Sequence, residues 1–323
     1  MSPPRASDGP RAGSRGRSLP AIVGPTASGK TAASLPVAEA LGAEIVSVDS
    51  MLVYRGMDVG TAKPSAAERA RVPHHLLDLA DPAEPFSVAV FQRCAREAIA
   101  GIEGRGRVPL LVGGSGLYFR AVVDGLVFPG IDPATRALLE AEVAAVGPAA
   151  LHRRLAGLDP AGAAKMEPSN ARRVVRALEV AAITARPFSS FAEAWDRYPP
   201  EAARAAGIDL PRPVLHRRIE RRVEAIMPGL VEETRRLLDQ GSGFGAFLTA
   251  TQAIGYAEAA AFLEGRASLE EAAGATVRRT KALARRQLAW FRRDPRVRWF
   301  AAGEDGAAGI VDDLLGHLRG EGE

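Results

Sequence analysis

Residues 24–31 read GPTASGKT, a complete match to the pattern G-x-x-x-x-G-K-[ST]. The mostly apolar residues before it, Leu19–Val23, predict a buried strand, and Lys30–Leu41 predict a helix. A glycine-rich turn between a strand and a helix constrains the fold strongly, because it aims backbone N–H groups and a helix N-terminus at one point. We therefore expect a phosphate-binding loop at the edge of an α/β sheet.

The whole loop is a candidate diphosphate site. Gly24 and Gly29 let the backbone curl inward, Lys30 supplies a point charge, and the Thr31 hydroxyl can bind Mg²⁺. The eight candidate ligands are Gly24, Pro25, Thr26, Ala27, Ser28, Gly29, Lys30 and Thr31. The pattern indicates that a pyrophosphate group is held here, but it does not indicate which bond breaks.

The composition is that of a globular enzyme, with 47% hydrophobic and 25% charged residues in a chain of 323. The single cysteine, Cys94, excludes an intrachain disulfide and a cysteine-based zinc cluster, and it favours a cytoplasmic location. No run of about 18 apolar residues is present, so we expect no membrane span. The net charge of +4 is small, so the distribution of charge matters more than its sum.

Strands and helices alternate in the first part of the chain. Residues 43–48, 74–79 and 107–112 read as strands, and residues 87–104 read as a helix. This alternation predicts a phosphate-loop NTPase-like α/β core with a parallel sheet.

Residues 129–200 show only helical periodicity and predict an all-helical inserted lobe. The predicted core is residues 19–128 together with 201–300, the latter contributing C-terminal helices. Residues 1–18, rich in Pro, Gly, Ser and Arg, predict a disordered tail, and residues 301–323 predict a weakly ordered one.

Two polar residues follow predicted strands. Asp49 ends the second strand, so it should lie near the phosphate loop, where it could hold Mg²⁺ through water, act as a general base or cap a helix. Ser115, in GGSGLY, can donate or accept one hydrogen bond at the same sheet edge. Its neighbouring glycines leave room for a ligand to approach the backbone.

Basic residues form three groups, which together favour a polyanionic partner such as RNA. One group lies between Arg278 and Arg298, where Asp294 is the only acid. The other two are Arg172, Arg173 and Arg176 in the predicted lobe, and Arg217, Arg218, Arg221 and Arg222 at the start of a long amphipathic helix.

Several segments together resemble the tRNA dimethylallyltransferase family, also called tRNA isopentenyltransferases. They are GPTASGKT, VDSMLVYRGMDVGTAKP, VPHHLLDL, PLLVGGSGLYFRAVVDGL, NARRVVRALEV, AIGY and RRQLAWFR, and they extend from Ala21 to Arg293. The resemblance is to the bacterial form, because one cysteine cannot supply the zinc finger of eukaryotic relatives. Lys281 departs from the pattern, since relatives often carry arginine there.

The resemblance implies transfer of a dimethylallyl group from dimethylallyl diphosphate to the exocyclic amine of the adenosine 3′-adjacent to the anticodon. The partners would be the tRNA anticodon stem-loop and dimethylallyl diphosphate, with Mg²⁺ as cofactor and a monomer sufficing. Lys30 would stabilise the departing diphosphate, Asp49 would be the base, and Ser115 would lie near the reacting centre.

The resemblance also implies a set of tRNA-contacting positions. They are Asp49, Ser50, Met51, Leu52, Ser115, Arg136, Arg172, Arg173, Arg176, Gln252, Ala253, Ile254, Gly255 and Tyr256. Two other functions remain open from the residues alone. A nucleoside or nucleotide kinase would use the same loop and strand-end acid, and an RNA-dependent NTPase would hydrolyse ATP without group transfer.

Overall fold

The computed structural model describes residues 18–191, 193–241, 250, 253–304 and 306–321. Within these ranges six strands form one parallel sheet in the order β3-β2-β4-β1-β5-β6, which confirms the predicted parallel core. The strands are β1 (Leu19–Val23), β2 (Ala43–Ser47), β3 (His74–His75), β4 (Val108–Gly113), β5 (Ala203–Asp209) and β6 (Val297–Ala301).

Twelve α-helices lie in the described ranges. They are α1 (Lys30–Leu41), α2 (Ala66–Arg71), α3 (Val88–Gly104), α4 (Gly116–Val123), α5 (Pro133–Val146), α6 (Pro148–Leu158), α7 (Pro160–Ala163), α8 (Ala171–Thr184), α9 (Arg212–Asp239), α10 (Tyr256–Leu263), α11 (Leu269–Phe291) and α12 (Val311–Arg319). Short 3-10 helices cover Phe188–Phe191, Glu193–Asp196, Pro200–Ala202 and Ala307–Ile310.

The core lies on both faces of the sheet because successive strand residues point to opposite sides. Ile22 and Ile45 belong to one buried cluster, which α1 and α12 cover. Val23 and Val46, their neighbours in sequence, belong to the cluster on the other face, where α3 and α4 pack. Because the strands are parallel, the carboxyl ends of β1, β2 and β4 lie at one edge of the sheet. The loops that follow these strands therefore lie close together.

The C-terminal helices expected in residues 201–300 are α9, α10 and α11, and the same segment also supplies β5 and the start of β6, two strands that the sequence did not indicate. β5 reads ARAAGID, an alanine-rich sequence with low strand propensity. Its position between β1 and β6 forces the extended backbone, because both of its edges pair and its side chains are mostly buried. Tertiary pairing overrides local preference here.

Residues 301–323 were expected to be weakly ordered, and the structure corrects this. Helix α12 packs against α1, and Leu314 is fully buried while Leu318 is nearly so. The two leucines are four residues apart, so they share one face of this short helix. The predicted tail, residues 1–18, lies outside the described residues except for Ser18.

Residues 129–200 form α5 to α8 followed by 3-10 turns, with no strand among the described residues of this segment. They have their own apolar cluster, which includes Leu139, Leu155 and Leu178. In the described part of the chain, none of the helices combines the length and apolar character needed to cross a bilayer.

Candidate active site

The phosphate loop joins β1 to α1 at the shared edge of the sheet. Gly29 is the N-cap of α1 and has φ of 93°, in the left-handed region that favours glycine. The Lys30 side chain curls back over the loop, and its Nζ donates to Gly24 O at 3.0 Å and to Pro25 O at 2.7 Å. The lysine thus satisfies two carbonyl oxygens of the loop.

Burial lowers the pKa of Lys30 to about 8 from its usual 10.5. The Asp49 carboxylate opposes this shift, and the Arg222 guanidinium adds to it. A desolvated cation with a depressed pKa gains charge stabilisation when an anion arrives. The buried charge of Lys30 therefore favours the binding of an anion such as a phosphate group.

Asp49 follows β2 and lies where two cavities meet. Its Oδ1 accepts a hydrogen bond from Met51 N at 2.8 Å, which fixes the carboxylate. The side chain lines a cavity of about 790 Å³ on the side of the phosphate loop and a second cavity of about 520 Å³ on the other side. We call the first the phosphate cavity and the second the acceptor cavity.

The phosphate cavity brings together much of the predicted diphosphate site. The predicted diphosphate ligands in its wall are Thr26, Ala27, Gly29, Lys30 and Thr31, and Asp49 and Leu52, which were predicted to contact tRNA, also line it. Gly24 and Pro25 contribute carbonyl oxygens to Lys30, while Ser28 is buried and its Oγ has no hydrogen-bond partner among the described residues.

The acceptor cavity is lined by residues that the sequence assigned to RNA contact, although they are far apart in the chain. They are Asp49, Ser50, Met51, Ser115, Ala253 and Ile254. Helix α11 closes the cavity with Arg286, Gln287 and Trp290, which project from one face of the helix. Gln252 lies outside the described residues.

Ser115 occupies the N-cap position of α4, and its backbone N donates to Val48 O at 3.3 Å. Its hydroxyl makes no capping bond, so it is free to serve the cavity. The neighbouring glycines are required by close approach, because a Cβ at Gly113 would overlap Val48 and one at Gly116 would overlap the Trp290 ring.

Two arginines of α9 reach the phosphate loop, which the sequence did not indicate. Arg222 Nη1 lies 3.4 Å from Thr26 Oγ1 and lines both cavities. Burial lowers its pKa, and the Asp49 carboxylate opposes that shift. Arg218 Nε donates to Ala27 O at 2.9 Å. Their signal was present in the basic group at the start of α9, but it was interpreted as RNA contact.

The DVGTAKP segment is held in place by hydrogen bonds to a buried carboxylate. Glu233 of α9, 5% exposed, accepts backbone N–H bonds from Asp58 at 2.9 Å and Val59 at 3.0 Å, and the Tyr256 hydroxyl donates to it at 2.6 Å. This places Thr61 in the wall shared by the two cavities. Tyr256, expected to contact tRNA, is itself 1% exposed.

Gly255 is the N-cap residue of α10. It has φ of 104° and its N–H donates to Glu258 at 2.9 Å. A Cβ there would also meet Leu230 of α9. Its described contacts are therefore internal to the fold.

The four lobe arginines that were expected to contact tRNA fall into two pairs. Arg136 and Arg176 both bind Glu179, which is fully buried, at 2.5 and 2.7 Å. Arg172 and Arg173 are exposed and form no ion pair with a described residue. The first pair stabilises the lobe and the second is available to a partner.

A third cavity, of about 960 Å³, lies between the start of α9 and the far side of α11. We call it the basic cleft; its cationic wall residues are Arg212, Arg278, Lys281, Arg285 and Arg292. Acids from other elements do pair with some of them, against the expectation of unpaired charge: Glu220 with Lys281 and Asp209 with Arg292. The other three form no ion pair with a described residue.

The phosphate cavity offers hard oxygen ligands of the kind that Mg²⁺ prefers. Thr31, Asp49 and Glu68 all contribute to its wall. Across the described part of the chain, no group of three or more acidic, histidine or cysteine side chains could hold a metal alone.

The fold and this site define a phosphate-loop enzyme with a second, acceptor-side cavity. The chain belongs to the IPP transferase family, whose model matches residues 52–294, and an isopentenyl transferase model matches residues 17–78. It is 52% identical over 287 residues to the tRNA dimethylallyltransferase of Nocardioides sp., covering 88% of this chain and 92% of that one.

Similar relatives extend to other bacteria. The tRNA dimethylallyltransferase of Desulforudis audaxviator is 48% identical, with 94% of this chain and 98% of that one covered. The crystal structure of a tRNA isopentenylpyrophosphate transferase from Bacillus halodurans is 41% identical, superposes with a TM-score of 0.65, and covers 94% and 98% of the two chains. These likenesses support transferase chemistry over the kinase alternative.

Proposed function

We propose that this enzyme transfers a dimethylallyl group from dimethylallyl diphosphate to the exocyclic amine of the adenosine directly 3′ of the anticodon in tRNA. The observation that carries the proposal is the position of Asp49 in the wall common to the phosphate and acceptor cavities. A leaving group on one side and a nucleophile on the other can meet there across one carboxylate.

The phosphate cavity suits a diphosphate that departs. Lys30 would exchange the carbonyls of Gly24 and Pro25 for phosphate oxygens, and Arg222 would add a second charge. As the bond between the allylic carbon and oxygen breaks, its electron pair moves to the diphosphate, which these cations stabilise. Thr31 with Asp49 or Glu68 would hold Mg²⁺, which when bound supplies further charge neutralisation for the phosphates.

Asp49 would act on the nucleophile. An adenine amine is weakly nucleophilic because its lone pair is delocalised into the ring. As the nitrogen–carbon bond forms, the amine proton would pass to the carboxylate oxygen that Met51 N does not hold. Ser115, whose hydroxyl caps no helix N–H, would orient the base in the same cavity.

The acceptor base must leave the stack of the anticodon loop to reach this cavity. Arg172 and Arg173 on the lobe, and the basic cleft beside α11, would bind RNA phosphates and supply salt-dependent affinity. A tRNA substrate also accords with the cytoplasmic location that the sequence indicates.

The test is incubation of the purified protein with an anticodon stem-loop RNA and separately labelled dimethylallyl diphosphate and ATP, followed by mass spectrometry of nucleosides. We expect a mass increase of one dimethylallyl group on adenosine, with label arriving only from the diphosphate ester. Label arriving from ATP would support a kinase, and RNA-stimulated ATP hydrolysis without a modified base would support an NTPase. The same assay on Asp49→Asn tests the role of this carboxylate. Asp239→Asn, which changes an exposed acid at the end of α9, is its matched control.

A further inference from the structure

The side chain of Gln287 lies in the partition between the two cavities, because it lines both of them. It projects from α11, one turn before Trp290. Its Oε1 accepts a hydrogen bond from the backbone N of Thr26 in the phosphate loop at 2.8 Å. The side chain therefore connects the loop that holds phosphate to the wall that faces the acceptor.

The chemistry of this bond fixes the orientation of the amide. A backbone N–H can only donate, so the atom that faces Thr26 N must be the carbonyl oxygen of Gln287. The Nε2 group then lies over Gly114, where an added Cβ would overlap it. No hydrogen bond joins this Nε2 to any described residue, although Gly114 itself lines the acceptor cavity.

The acceptor cavity thus contains a directed pair of N–H donors beside the carboxylate of Asp49. Adenine carries acceptor nitrogens, N1 and N7, on either side of its exocyclic amine. A carboxylate that receives the amine proton and an amide that donates to the adjacent ring nitrogen would together fix the base in its plane. Guanine presents an oxygen in place of the amine, so it has no proton there for the carboxylate. Its N1 is a donor and cannot accept from the amide, although its N7 is an acceptor as in adenine.

We propose that Gln287 is a specificity-determining residue that positions the acceptor purine by donating from Nε2 to a ring nitrogen next to the reacting amine. This inference rests on the proposed transfer to adenosine and adds the group that reads the base. Because Thr26 N–H occupies Oε1, the amide cannot rotate to accept from a donor without losing its bond to the phosphate loop.

The experiment combines variants with base analogues in one cycle. Anticodon stem-loop RNAs carry adenosine, 1-deazaadenosine, 7-deazaadenosine or 3-deazaadenosine at the target position, and kcat/KM for prenyl transfer is measured with wild type and Gln287→Met. We expect wild type to lose about 10- to 100-fold on one of the first two analogues beyond its loss on the 3-deaza control. The Met variant should be impaired with adenosine and should lose no more on that analogue than on the control.

A purely structural role for Gln287 would give the variant the same fold-loss on every analogue as wild type, and that result overturns the proposal. Gln287→Glu keeps an oxygen for Thr26 N–H but has no donor, so it should show the same insensitivity and serves if the Met variant does not fold. If wild type modifies no RNA at all, the proposed function fails instead. Equal wild-type rates on the 1-deaza, 7-deaza and 3-deaza RNAs would refute the proposed role of Gln287 and leave the proposed function standing.

Discussion

Replacing Lys30 by methionine should make the ligand-free protein more stable at neutral pH. Burial lowers the pKa of Lys30 from 10.5 to about 8, a difference of about 2.5 pH units. At about 1.4 kcal/mol per unit, holding the charged amine in this site costs about 3 kcal/mol at pH 7. Methionine has a similar length and carries no charge.

Part of this gain is offset by lost hydrogen bonds. Lys30 Nζ donates to Gly24 O and Pro25 O, and each such bond contributes about 0.5–1 kcal/mol net. The expected net stabilisation is therefore about 1–2 kcal/mol. For a chain of this size that corresponds to a rise in Tm of about 2–4 °C.

The pH dependence gives the sharper test. Between pH 8 and 10.5 the unfolded chain binds more protons at Lys30 than the folded protein does, so wild-type stability rises with pH across that window. The cost is fully present below pH 8 and vanishes above 10.5. The advantage of Lys30→Met should be constant below about pH 7.5 and shrink as the pH approaches 10.

Thermal or urea unfolding of both proteins from pH 6.5 to 10 measures this difference, with transfer activity expected to be lost in Lys30→Met. Lys165→Met is the matched control, because Lys165 is exposed in the lobe and its replacement should change stability little at any pH. A Lys30→Met protein that is less stable than wild type at pH 7, or a stability gap that does not change with pH, would refute the reasoning.

Four further outcomes are expected. Asp49→Asn should lower turnover about 10²- to 10⁴-fold with RNA binding retained, checked by single-turnover transfer and filter binding. Affinity for dimethylallyl diphosphate, measured by calorimetry, should weaken by up to about tenfold per pH unit above pH 8 as Lys30 loses its proton. Arg278→Ala with Arg285→Ala should reduce the slope of log affinity for tRNA against log salt by up to about 2, and an unchanged slope would mean that the basic cleft is only solvated. Glu179→Gln should destabilise the protein by about 3 kcal/mol in denaturant unfolding, because it removes the buried charge that compensates the partly buried Arg136 and Arg176.

The sequence predicts those residues of the site whose positions are set by the local structure around them. Lys30 follows from a loop pattern between a strand and a helix, and Asp49 follows from the end of a parallel strand. Because the carboxyl ends of β1 and β2 meet at one edge, the rule that ligands bind there is enough to bring the two side chains together.

The parts that sequence does not predict depend on distant partners. Arg136 and Arg176 were expected to contact tRNA, and the structure pairs both of them with the buried Glu179, which is 43 residues from Arg136. A charge count along the chain cannot distinguish an arginine that will be neutralised in the fold from one that will remain free, such as Arg172. For Arg136 the packing of α5 on α8 decides this, whereas Arg176 and Glu179 are three residues apart on α8 itself.

The partition between the cavities is entirely a product of tertiary structure. Its members come from five separate segments, namely Thr26, Asp49, Thr61, Arg222 and Gln287. Thr61 reaches it because α9 holds the preceding loop, and the last two reach it because α9 and α11 pack on each other and on the sheet. The proposed transfer forms the nitrogen–carbon bond beside this wall, so it requires the docking of both long helices as much as it requires the phosphate loop. A helix that shifted by one residue would rotate Gln287 by about 100° out of the partition and leave Thr26 N–H without its acceptor.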